Sequence, residues 1–290
     1  MSSSPPANSS ENASEDELPK SKFRLHLDDL RHPGTGSFLT LVPDPLLTIK
    51  TALRAIVKHL YTAPPPGGDS TSPPSFIPSV PPTKSVTLIV REFGGLAYTT
   101  GNQSDKEIHL SLNYIQSCTR SKDPAGELNG VLTHELVHCY QHTRPASEQA
   151  PEGEGSPPSG LTEGIADFVR LKSGLKPPHW KRPLSSGERP TKWDQGYQHT
   201  AYFLSWLEDV RAGAGSVGAV NDRLLRVGYV QGLDNHVALE GSEGVPEKSF
   251  WQYIFGVGVL QLWEEYGEYL DRSGHDEPGG ENGNWEIELL

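Results

Sequence analysis

Apolar positions recur along this chain with two spacings, and the change from one to the other divides it. In the first part the apolar residues fall in short runs, alternating or β-branched: Phe23–Leu27, Ser85–Val90, Leu96–Thr100 and Glu107–Leu112. Such runs predict strands, whose side chains point to opposite faces with a period of two. One helix interrupts them. It opens at Pro43-Asp44-Pro45 and runs to Tyr61, with Leu46, Leu47, Ala52, Leu53, Ile56, Val57 and Leu60 on its apolar face. Proline is tolerated at such a start because its missing N–H would be unpaired there anyway. From Asn113 onward the period is helical, in a short segment 113–117 and then in 126–142, 160–171, 195–210, 216–228, 247–255 and 257–271. Asp194 stands where an N-cap for the 195–210 helix belongs. Strands first and helices after predict an α+β fold: a small twisted sheet followed by a mostly helical half, with a cleft between.

Four stretches have no period at all. Residues 1–20 and 273–290 read as flexible tails, 63–83 as an exposed Pro-rich insertion and 145–159 as an acidic loop. They leave one domain spanning 21–272. Most of the chain's 25 prolines gather in these stretches, whose polar make-up helps explain an overall hydrophobic content of only 34%. Its charge gathers there too. The net charge is −12, yet residues 11–17, 147–159 and 274–290 hold four, three and five acids without one Lys or Arg. The remainder is near neutral, so the acidity favours solubility and argues against nucleic-acid or anionic-membrane partners. No apolar run reaches the roughly 18 residues a membrane span needs. The N-terminus lacks the apolar core of a secretion signal, which makes a cytoplasmic location the default, with export by another route left open. Cys118 and Cys139 are too few for a disulfide scaffold and are expected as separate buried thiols.

The chemistry lies in GVLTHELVHCYQH, Gly130 to His142. Residues four apart share one face of a helix, so His134 and His138 can grip one cation from the same side. Glu135, one step round, can take a proton from a water on that cation. The plain alternative is an amphipathic helix carrying two surface histidines. A second stretch speaks against that: Gly160 to Leu171 carries Glu163, 25 residues after His138, and Asp167 four further on. A second helix with Glu-x-x-x-Asp completes the site in one large group of zinc peptidases. There the Glu is the third ligand, and the Asp holds a ligand histidine's N–H and sets its tautomer. Two imidazoles, one carboxylate and an open position suit Zn2+. His142 shares the histidine face, but it lies about 12 Å along the axis from His134, too far to join the same ion. It is read as structural or exposed. In zincins an edge strand often runs beside the cleft and receives an extended peptide by main-chain pairing; Glu107–Ser111 is the expected strand.

GVLTHELVHCYQ, GLTEGIADFVRLKSGLKPPHW and KWDQGYQHTAYFLSWLE together resemble the basic secretory protein family of plants and microbes. FGGLAYTTGN, EIHLSLNYIQ and QLWEEY extend the resemblance over roughly Phe23 to Tyr269. It implies a zincin-like fold and an HExxH zinc peptidase of the Glu-zincin type. The chain departs from the family's name in being acidic and in showing no secretion signal. Tyr197 falls in the WDQGY stretch of the resemblance. Its phenol is either a donor to the oxyanion of a tetrahedral intermediate or a packed core tyrosine. His199 departs from the family pattern. The expected activity is zinc-dependent hydrolysis of a peptide or protein substrate through a metal-bound water activated by Glu135. The alternative is a catalytically inactive metal-binding or protein-interaction module. Nothing in the chain specifies an oligomeric state.

Overall fold

A computed structural model describes residues 18–65, 72–143, 155–229 and 249–273. The tails expected at 1–20 and 273–290 and the loop at 145–159 fall mostly outside these residues. The fold is α+β, with one four-stranded sheet and nine α-helices among the described residues. The chain forms two compact units. One is drawn from Met1–Tyr61 with Val80–Tyr140, the other from Thr62–Ser79 with Gln141–Leu290.

The first unit holds the sheet: β1 (Lys22–Leu27), β2 (Ser85–Arg91), β3 (Ala97–Gly101) and β4 (Asp105–Ser111), in the order β1-β2-β4-β3. β1, β2 and β4 are parallel, and β3 runs antiparallel to β4. The expectation for Glu107–Ser111 is therefore corrected, since β4 lies inside the sheet and β3, next to it, forms one edge, with β1 at the other. Ile108 to Ser111 are all buried, as a strand with neighbours on both sides requires. Alternation reveals which residues share a face; it does not reveal which strand lies outermost.

Two helices cover the inner face. In α2 (Pro45–Leu60), Asp44 caps the start by accepting from the Leu47 N–H at 2.9 Å. In α4 (Pro124–Tyr140), Asp123 does the same for Gly126 at 2.9 Å. Thr48, Ile49 and Ala52 of α2, Leu132 and Leu136 of α4, and Val86, Leu88 and Ile108 of the sheet border one small apolar gap. α4 is buried on nearly every side from Leu128 to Tyr140, and its last carbonyls still find donors. Thr83 Oγ1 donates to the Cys139 oxygen at 3.1 Å, and the Tyr61 hydroxyl donates to the Tyr140 oxygen. Cys118 and Cys139 are free, buried thiols, and burial pushes Cys139 up to about 12.

One helix escapes the apolar pattern. α1 (Pro33–Leu41) contains Gly34 and Gly36 and is capped by His32 Nδ1, which accepts from Gly34 N–H at 3.0 Å. A Cβ at Gly34 would collide with the main-chain oxygen of Leu112, where α1 packs on α3 (Leu112–Cys118). Glycine there serves contact, not flexibility.

The second unit is helical: α5 (Ser159–Lys172), α6 (Tyr197–Trp206), α7 (Ser216–Val227), α8 (Phe250–Phe255) and α9 (Val259–Ser273). α6 continues as a π-turn over Leu207–Arg211. Its core is aromatic. The Phe203 ring lies 5.3 Å from Trp263, 5.8 Å from Tyr266, 6.0 Å from Trp206 and 6.3 Å from Trp251, centroid to centroid. The described residues of the Pro-rich segment are mostly exposed and carry no helix or strand, as their composition predicts. It is nevertheless tied down. Ser79 offers its carbonyl to His142 Nε2 at 2.8 Å, and Ile77 offers its own to Arg226 at 2.9 Å.

His142 is thus structural and buried, with its N–H bound to Asn221 Oδ1 at 2.9 Å. Burial pushes its pKa below the usual imidazole value against the Ser79 bond and Asp222, which favour the proton, with Arg226 adding to the depression; burial also lowers His199. A histidine with a depressed folded pKa contributes stability that is complete above its unfolded pKa, about 6.5, and is lost as the pH falls below it. The urea midpoint should therefore drop between pH 7 and pH 5.5. His142→Gln, which keeps an N–H donor and cannot titrate, should flatten that slope; an unchanged slope removes His142 from the account.

Candidate metal centre

α4 is apolar on most of its surface, so burial fixes its rotation, and with it the direction of the few polar side chains it carries. His134 is buried and His138 half-buried. Their rings stand nearly perpendicular, at 85°, with Nε2 to Nε2 at 3.1 Å. Two nitrogens at the usual roughly 2.0–2.1 Å from a tetrahedral ion would lie about 3.3 Å apart, so the pair fits one cation.

α5 carries the third donor. Its position is set by small residues at a spacing of four. A Cβ on Gly160 would meet the Asp194 carbonyl, and one on Gly164 would meet the Thr200 side chain. Only glycine allows α5 and the segment leading into α6 to come this close. Asp194 therefore does not cap α6, as its position in the sequence predicts. The N-cap is Gly196, at φ 88°, with no side-chain cap. Thr200 Oγ1 holds the turn instead, donating to Trp193 O at 2.8 Å and accepting from Gly196 N at 2.9 Å.

Glu163 lies on α5 between the two glycines and is half-buried. Its carboxylate, His134 and His138 each offer one ligand atom, all within 4.8 Å of one another. Two imidazole nitrogens and one carboxylate oxygen make a group able to hold a metal ion. Asp167, one turn further along α5, is 2% exposed. Tyr197 is the only non-glycine residue with positive φ among the described residues, at 47°, and it is 58% exposed. The packed-core alternative for Tyr197 does not hold. A Cβ on its neighbour Gly196 would lie 3.9 Å from Glu163 Cβ, so this strained turn sits against the Glu163 side chain.

Glu135, on α4, is buried and has a partner that spacing arguments do not find. Thr99 Oγ1 of β3 lies 2.7 Å from Glu135 Oε2 and 2.9 Å from the Glu135 main-chain oxygen. The available signal was register: Thr99 pairs with inward-facing Ile108, which turns it toward the helices. His109 faces the other way. It accepts from Arg91 Nε at 3.0 Å on Nδ1, leaving Nε2–H to face Glu107 at 3.2 Å, and it stacks on Tyr98.

His134, His138 and Glu163 thus form a group that could hold a metal ion on an α+β chain. The chain is a member of the BSP family, peptidases of plants and bacteria, which it matches over residues 20–266. The resemblance read from the motifs is borne out, and a peptidase family implies peptide or protein substrates. No curated protein and no solved structure matches the chain.

Proposed function

We propose that this protein is a zinc-dependent peptidase of zincin-like fold, with His134, His138 and Glu163 as zinc ligands. The observation that carries the proposal is the convergence of these three donors within 4.8 Å, on a chain whose family is one of peptidases. When bound, zinc supplies Lewis-acid polarisation of the scissile carbonyl and eases deprotonation of water. Glu135 accepts the proton of the attacking water and passes it to the leaving amine. Asp167, buried on α5, is assigned the role of holding a ligand histidine's N–H and so fixing its orientation. Tyr197, exposed and held in a strained conformation, presents its phenol to the oxyanion; such strain is kept where the surroundings enforce it. The outer edge of β3 takes the extended substrate as an added strand.

Purified protein should carry about one zinc per chain and should hydrolyse members of a mixed peptide library. His134→Ala and His138→Ala should lose both metal and activity. Full metal occupancy in both variants would place the ligands elsewhere and end the proposal.

A further inference from the structure

We infer that Thr99 is the positioning residue for Glu135: its hydroxyl clamps the carboxylate in the one rotamer that leaves Oε1 for the attacking water. The inference rests on the role proposed above for Glu135. A threonine hydroxyl has one proton, and here it lies within reach of two acceptors of the same residue, Oε2 at 2.7 Å and the main-chain oxygen at 2.9 Å. The bond to the carboxylate is the stronger of the two because its acceptor is charged. Anchoring Oε2 restricts the side-chain torsions of Glu135. A glutamate held only by its helix would sample several rotamers, and a reacting group displaced by about 1 Å can cost roughly 100-fold in rate.

The clamp is itself fixed. Threonine is β-branched and stiff at χ1. Its strand cannot slip, because a shift of one residue would exchange Thr99 with Tyr98. Tyr98 is pinned on the opposite face: its ring stacks on His109 at 4.5 Å and 10°, and its hydroxyl accepts from Arg91 at 2.7 Å. The outer lattice of Arg91, Tyr98 and His109 therefore holds the register that delivers Thr99 to Glu135.

Thr99→Val keeps the shape and removes the donor; Thr99→Ser keeps the donor. In the valine variant kcat should fall about 10–100-fold with KM and zinc content unchanged, and the serine variant should recover most of the loss. A merely structural hydroxyl would not divide kcat from KM in this way. In crystals of Thr99→Val the Glu135 side chain should spread over more than one rotamer while the His134 and His138 rings keep their places. Unchanged kcat in Thr99→Val, a serine variant as impaired as the valine one, or a single unmoved Glu135 rotamer would each overturn the inference. Should the wild type bind zinc and hydrolyse nothing, the proposed function fails by itself. The Glu135 rotamer in the valine variant then still decides the role of Thr99.

Discussion

Glu135→Gln should abolish most hydrolysis, about 10²–10⁴-fold in kcat, while leaving zinc content and stability as they were. The substitution is nearly isosteric, and Thr99 can still donate to the amide oxygen placed where Oε2 now lies. That arrangement puts an NH₂ group at the Oε1 position, a donor where the mechanism needs an acceptor. Rate and metal content must be measured on the same sample. Turnover like the wild type would remove Glu135 as the base. Loss of zinc would show that the change disturbs the histidines on either side of it.

Glu163→Ala and Asp167→Asn should differ in kind although both carboxylates belong to α5. Removing Glu163 deletes a direct donor, and zinc affinity should collapse. Removing the charge of buried Asp167 takes away an orienting bond, for which about 10–100-fold in affinity or activity is the expected loss. Competitive zinc titration of both variants distinguishes them. If Asp167→Asn loses the metal and Glu163→Ala keeps it, the two roles are reversed. If both bind as the wild type does, the third ligand lies off this helix.

What could be read from the chain divides along the range of the forces involved. His134, Glu135 and His138 belong to one helix, and helical spacing alone places two of them on a shared face. Strands Ser85–Arg91 and Asp105–Ser111 announce themselves through β-branched and alternating residues. Sheet order is a matter of pairing between distant segments, so β4 passed for an edge while β3 held that place. α1 was invisible because its Gly34 answers to a neighbouring carbonyl and not to any apolar period. Asp194 looked like a cap because Asp is favoured there; the helix starts only at Tyr197, with Gly196 as its N-cap. Thr99 was hidden for the same reason as the edge: its partner is 36 residues away, and only the register of β3 connects them.

The aromatic core around Phe203 gives the molecule an optical asymmetry. All six tryptophans lie at residue 180 or beyond, and the sheet-bearing unit has none. Excitation at the red edge of the absorption band, where tyrosine is dark, therefore reports on the helical unit alone. Trp193, Trp206, Trp251 and Trp263 are buried, so their emission should shift to longer wavelength as that core opens to water. Tyr61, Tyr98, Tyr114 and Tyr140 of the sheet-bearing unit stay silent in that channel. Recording far-ultraviolet circular dichroism beside the emission during one denaturation would show whether the two units melt together or in sequence, with no label and no mutation.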